Sequence, residues 1–114
     1  MDDMGEALAA AAALLAVADG GDADAVRGRL RAKAPGAVAA FDGHVAHLRE
    51  GGAGGEESAI QSLHPVKGDA ATAAALMESV LETGGGVDAL APGAQAAARR
   101  VAETLNLSPT RFGL

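Results

Sequence analysis

Cysteine, tryptophan and tyrosine are absent from this chain of 114 residues, and its only aromatic residues are Phe41 and Phe112. The absence of cysteine excludes a disulfide framework, a thiolate nucleophile and a cysteine-ligated zinc ion. It is compatible with a reducing compartment, and we expect a cytoplasmic protein. Aromatic and β-branched residues, which favour strands, are scarce, whereas alanine, the strongest helix former, is abundant. An all-α fold is therefore expected.

Basic residues and long hydrophobic runs are also in short supply. Nine Lys and Arg residues face fifteen Asp and Glu residues, which gives a net charge of −6. Because nucleic-acid affinity depends largely on Lys and Arg, we expect no nucleic-acid partner.

The apolar segment 7–18 is shorter than the roughly 20 residues that span a bilayer, and acidic residues precede it. We expect a core helix and no transmembrane segment.

The length suits one domain, 1–114, and the hydrophobic periodicity predicts six to seven helices. The third predicted helix has the clearest amphipathic pattern, formed by Val38, Phe41, Val45 and Leu48. For the first helix we expect one buried face, formed by Leu8, Ala11, Leu15 and Ala18. Asp22, Asp69 and Ser108 are predicted helix caps.

The chain also contains an internal repeat. An apolar helix, a glycine-rich break and a capped second helix occur at 14–30 and, in degraded form, at 77–105. This duplication predicts two helical hairpins about a pseudo-twofold axis. The glycine-rich run 51–55 predicts a flexible loop between the two halves.

The first glycine-rich break carries an acidic cluster, Asp19, Asp22 and Asp24. These residues allow two interpretations. Asp22 and Asp24 can act as a helix cap and a first-turn acid, which needs no metal. Alternatively, the carboxylates and loop carbonyls supply about half of the six to eight oxygens that calcium prefers. The spacing differs from that of an EF-hand, because the twelfth loop position is Leu30 rather than glutamate.

Two histidines offer a different chemistry. His44 and His47 lie three residues apart on the third predicted helix, close in sequence to Asp42. A helical zinc pair has four-residue spacing, and no third ligand is evident. The other interpretation places His47 at the edge of the apolar stripe and His44 in solvent. No serine lies in a nucleophile elbow and no glycine run forms a Walker loop, so we expect no enzymatic activity.

The sequence AVADG at 16–20 and the closing segment 98–114 resemble the TerB-like family of tellurite-resistance proteins. The resemblance implies a small bacterial helical domain with two acidic loops that bind a divalent cation, and a role in tellurite resistance, phage defence or stress. By position, Asp19 matches the leading aspartate of the first loop, and Asp22 and Asp24 match its later acids. In the second loop, Gly84–Gly85–Gly86 stands where the family has Asp-Gly, and Asp88 is slightly displaced.

Three functional hypotheses follow. The first is a non-enzymatic binding module that responds to metal or to stress. It holds calcium or magnesium through Asp19, Asp22 and Asp24, and Asp88 is a remnant of the second loop. The second is an interaction module that has lost the cation site and binds a partner protein or a second copy of itself through an alanine-rich or helix-three surface. The degenerate second loop favours this alternative. The third is a small metal-dependent enzyme that uses His44 and His47.

Overall fold

The computed structural model describes residues 3–18, 22–51 and 53–114, and over these ranges the chain is helical and contains no strand. Short 3-10 segments complete several of the connections. The six α-helices are α1 (Asp3–Val17), α2 (Ala23–Lys33), α3 (Val38–Gly51), α4 (Ala53–Gln61), α5 (Ala70–Thr83) and α6 (Pro92–Thr104). The 3-10 segments are Pro35–Ala37, His64–Val66, Val87–Ala89 and Pro109–Phe112. The expectation of an all-α fold with six to seven helices is confirmed.

α1 occupies the centre of the fold. It packs against all five other α-helices, and every residue from Ala7 to Ala16 is buried. The predicted residues Leu8, Ala11 and Leu15 are buried, and the burial extends beyond their face to the whole circumference of the helix. Alanine and leucine occupy all of these positions, so the helix has no polar face to turn toward solvent. Over the described ranges, no helix combines the length and apolar character needed to cross a membrane.

The glycine-rich run 51–55 is helical wherever the structure describes it, so the prediction of a flexible loop was wrong. α3 continues to Gly51 and α4 begins at Ala53. Gly55 is buried, and a Cβ atom there would lie 2.5 Å from the carbonyl oxygen of His47. The missing side chain of Gly55 therefore allows α4 to approach the backbone of α3 closely.

Two predicted N-caps are confirmed. Asp22 accepts a hydrogen bond from the Ala25 N–H at 3.0 Å, where α2 begins. Asp69 accepts hydrogen bonds from the N–H groups of Ala71 and Thr72 at 3.0 and 3.3 Å, where α5 begins. Each aspartate satisfies backbone donors that lack an acceptor within the helix.

The C-terminal region follows the sequence signals with one exception. Pro92 lies in the first turn of α6, and Asn106 ends the helix with a φ angle of 60°. Phe112 is half-buried against the core. Ser108 precedes the last 3-10 segment but makes no capping hydrogen bond to its backbone, because its hydroxyl pairs instead with that of Thr110 at 2.9 Å.

Candidate functional site at the junction of the two loops

The acidic residues of the first loop lie around the start of α2. Asp22 is the N-cap and Asp24 lies in the first turn, and both side chains are exposed. Neither forms an ion pair with any described residue. Asp19, the predicted leading ligand, lies outside the described residues.

Residues from both halves of the chain line one cavity of about 160 Å³. The first half contributes Leu15, Asp22, Ala25, Val26 and Arg29, and the second half contributes Gly84, Ala89, Leu90, Ala91 and Ala94. Asp22, which follows the first break, thus lines the same cavity as Gly84 of the second break. We call this space the junction cavity. Asp88 is exposed in the adjoining 3-10 segment and is not among the residues that line the cavity.

A positive charge lies at this junction. The Nη1 atom of Arg29 donates a hydrogen bond to the carbonyl oxygen of Thr83 at 3.3 Å. The guanidinium lies against Gly85, where an added Cβ atom would be 3.2 Å from the Cζ atom of Arg29. Gly85 also has a φ angle of +91°, which glycine adopts readily. The glycine loop therefore accommodates a guanidinium where the resemblance implies an acidic second loop.

The described residues include no group of three or more His, Asp or Glu side chains placed to hold a metal ion. Asp19 lies outside these residues. Asp22 and Asp24 can each offer carboxylate oxygens at the start of α2, and Asp88 lies beyond the cavity lining. The four-aspartate cation site remains a prediction.

The histidine pair has separate surroundings. The Nε2 atom of His44 lies 2.9 Å from Oε1 of Glu6, and the His44 side chain is only 13% exposed. His47 is exposed, so the interpretation that placed His44 in solvent and His47 at the core edge was wrong. Glu6 and His44 are 38 positions apart in the chain, so no local sequence pattern predicts this contact.

Asp42, which is close to the two histidines in sequence, is hydrogen-bonded to Arg27 of α2. Its two carboxylate oxygens accept hydrogen bonds from Nε and Nη2 of Arg27 at 2.9 and 3.0 Å. These hydrogen bonds from Arg27 hold the pKa of Asp42 below its ordinary value. Asp42 therefore links α3 to α2.

A larger groove of about 550 Å³ lies at the C-terminal end of α1, and sequence analysis did not identify it. Most of its lining is apolar, and an ion pair between Glu56 and Arg100 lies at its edge. The lining residues are Leu14, Val17, Ala18, Leu48, Glu56, Gly93, Ala96, Ala97 and Arg100. We call this feature the α1/α6 groove. Its lining comes from four helices, α1, α3, α4 and α6, and from Ala18 just after α1, so no single segment of the sequence predicts it.

Comparison with protein-family models, with curated proteins and with solved structures finds no match to this chain. The fold and the two cavities therefore define the class of protein: a small all-α domain with two candidate binding surfaces. The TerB-like resemblance remains a prediction from the sequence.

Proposed function

We propose that this chain is a non-enzymatic, TerB-like binding module of a bacterial stress response in the cytoplasm, and that it acts as a protein-contact domain without a two-loop cation site. The observation that carries this proposal is the position of Arg29. Its guanidinium lies against Gly85 and binds the Thr83 carbonyl oxygen, at the loop that the resemblance implies to be acidic. A fixed positive charge there opposes a divalent cation shared between the loops.

The α1/α6 groove is the contact surface in this proposal, and its occupant is a second copy of the chain. Glu56 and Arg100 bring opposite charges to the edge of the same groove. In a twofold dimer, the ion pair within each chain can be exchanged for pairs between Glu56 of one copy and Arg100 of the other. The small residues Gly93, Ala96 and Ala97 allow another helix to approach α6 closely.

Molar mass measured across a wide concentration range tests the proposal. We expect a monomer–dimer equilibrium that is unchanged by a chelator, and weaker dimerisation for Ala96→Glu, which introduces a charge into the groove. Ala75→Glu is the matched control, because Ala75 is exposed on α5 and lies outside the groove lining. A protein that stays monomeric at every concentration would overturn the dimer proposal.

Charge reversal provides a second arm of the same experiment. Arg100→Glu should weaken dimerisation, and adding Glu56→Arg to the same chain should restore it, because the opposite charges are then exchanged. Arg99→Glu makes the same charge change at the neighbouring exposed position. If Arg100→Glu and Arg99→Glu weaken dimerisation equally, net charge rather than the groove controls association.

Cation binding by the first loop is the second candidate function. It is favoured by one observation: Asp22 and Asp24 are both exposed at the start of α2, and neither has an ion-pair partner among the described residues. The ligands of this candidate are Asp19, Asp22 and Asp24, with Asp88 as a further acid, and the cation is calcium or magnesium.

A titration of chelator-treated protein with calcium and with magnesium, followed by amide NMR shifts, tests this candidate. Saturable shifts at 20–24, lost in Asp19→Ala, would support it. Glu57→Gln is the control, because it removes an exposed negative charge outside the loop. Unchanged spectra at millimolar cation would leave Asp22 and Asp24 with structural roles only.

A further inference from the structure

We propose that the junction cavity binds a small zwitterion of the α-amino acid class, with the ligand's ammonium group at Asp22 and its carboxylate at Arg29. This inference is independent of the protein-contact proposal, because the junction cavity and the α1/α6 groove share no lining residue.

The cavity presents two opposite charges that do not neutralise each other. Asp22 and Arg29 both line it, and neither forms an ion pair with the other or with another described residue. One carboxylate oxygen of Asp22 accepts the Ala25 N–H, and the other has no partner among the described residues. Arg29 uses Nη1 for the Thr83 carbonyl oxygen, which leaves the other guanidinium N–H groups available.

This charge arrangement selects among ligand classes. A metal cation suits Asp22 but is repelled by Arg29, and a simple anion suits Arg29 but is repelled by Asp22. A zwitterion supplies an ammonium for the first residue and a carboxylate for the second. Hydrogen bonds between charged groups are the stronger kind, and a guanidinium matches the geometry of a carboxylate.

The walls of the cavity restrict the ligand further. The cavity has a volume of about 160 Å³ and opens to solvent. Leu15, Val26 and Leu90 provide apolar wall. An amino acid with a small apolar side chain, such as alanine, therefore matches this lining.

Arg29 is held in position before a ligand arrives. Its guanidinium rests against Gly85 and is hydrogen-bonded to the carbonyl oxygen at the end of α5. Contacts of this kind reduce the ordering that binding must impose on a long side chain. The opposite charge, Asp22, is fixed by its capping hydrogen bond.

The experiment is an amide NMR titration of chelator-treated protein with three related probes. L-alanine carries both charges, N-acetyl-L-alanine lacks the ammonium, and L-alaninamide lacks the carboxylate. At about 10 mM probe even a millimolar Kd gives near saturation. We expect saturable shifts at 22–29 and 84–94 with L-alanine, and much weaker binding of the two blocked probes.

Two variants and one control connect the shifts to the proposed contacts. Asp22→Asn removes the charge but keeps a good N-cap, and Arg29→Gln removes the guanidinium. Each should weaken L-alanine binding by about tenfold or more, because each removes a charge-assisted contact. Arg31→Gln changes an exposed arginine on the same helix that does not line the cavity, and should leave binding unchanged.

Several outcomes would overturn the inference. The absence of saturable shifts with L-alanine would exclude the site. Equal binding of N-acetyl-L-alanine would indicate an anion site that does not use Asp22, and equal binding of L-alaninamide would indicate an ammonium site that does not use Arg29. Shifts that appear with calcium alone would assign the loop to the cation candidate instead.

Discussion

Gly55 and Gly54 lie next to each other in α4 but have different surroundings. A Cβ atom at Gly55 would lie 2.5 Å from the His47 carbonyl oxygen and 3.0 Å from the Leu48 Cα atom, whereas one at Gly54 would meet nothing within 4 Å. Both neighbours of the Gly55 position are backbone atoms, which cannot rotate away. The two glycines therefore serve different purposes in the same helix.

Gly55→Ala should destabilise the fold by about 1–3 kcal/mol, because α4 must move away from α3. Gly54→Ala is the matched control and should raise the free energy of unfolding by about 0.5–1 kcal/mol, because alanine is the better helix former. Urea unfolding followed by helical circular dichroism measures both effects. Equal effects of the two substitutions would contradict the close approach of α4 to α3.

Asp69 gives a prediction of pH dependence. Hydrogen bonds from the Thr72 hydroxyl, from the Thr72 N–H and from the Ala71 N–H lower the pKa of Asp69 below its ordinary value of 3.8. A carboxylate with a lowered pKa in the folded state stabilises the fold above its unfolded pKa, and this contribution is lost as the pH falls through the folded pKa.

Asp69→Ala should therefore lower the unfolding midpoint at neutral pH, and the difference from the unsubstituted protein should shrink as the pH falls below about 3.8. Thermal unfolding at a series of pH values measures this difference. Glu57→Gln, at an exposed position with no described partner, is the control and should show no such convergence. A constant difference at all pH values would mean that the charge of Asp69 contributes nothing.

Among the helices, α1 depends most on the small size of its residues. Ala9, Ala10, Ala11, Ala12 and Ala13 have no exposed surface. Since each of these side chains is only a methyl group, the surrounding helices can pack close to the α1 backbone. Space for a longer side chain is therefore lacking on every side of this helix.

Ala12→Leu should destabilise the protein by about 1–3 kcal/mol, because it forces extra methylene groups into a packed core. Ala75→Leu makes the same change at an exposed position of α5, and should alter stability by no more than about 0.5 kcal/mol. Chemical unfolding of both variants measures the contrast. If Ala12→Leu is as stable as Ala75→Leu, α1 is less tightly enclosed than the structure shows.

The sequence predicted the ends of helices better than it predicted what packs against them. The caps Asp22 and Asp69 were identified correctly, because capping depends on residues a few positions apart. The burial of α1 on all sides and the helical state of Gly51 and of 53–55 were not predicted. Both depend on what packs against the helix, and a local pattern carries no information about that.

The molecule as a whole is organised around α1, which contacts every other α-helix. The two halves of the internal repeat therefore do not have separate cores. Leu30 in the first half and Leu76 in the second are both fully buried and belong to the same hydrophobic cluster. A destabilising substitution in either half should therefore destabilise the entire fold.

Leu30→Ala and Leu76→Ala should each destabilise the protein by about 2–5 kcal/mol through the cavity that remains, and each should shift one common unfolding transition. Urea unfolding followed by circular dichroism, with amide NMR signals from each half as the second probe, measures this. Two separate transitions in either variant would show that the halves are independent units.

The helical fold of the chain and the caps Asp22 and Asp69 could be predicted from the amino-acid sequence. These properties follow from alanine content, from glycine and proline positions and from side chains within one turn of each other. The sequence also singled out Asp22 and Asp24, whose places at the start of α2 were correct.

What these residues face depended on the packing of the helices. The packing brought Asp22 and Gly84 to one cavity, placed Arg29 against Gly85 and paired Glu6 with His44. It also left an apolar groove between α1 and α6. These contacts join residues far apart in sequence, so they are set by how the helices pack around α1, and no spacing along the chain encodes them.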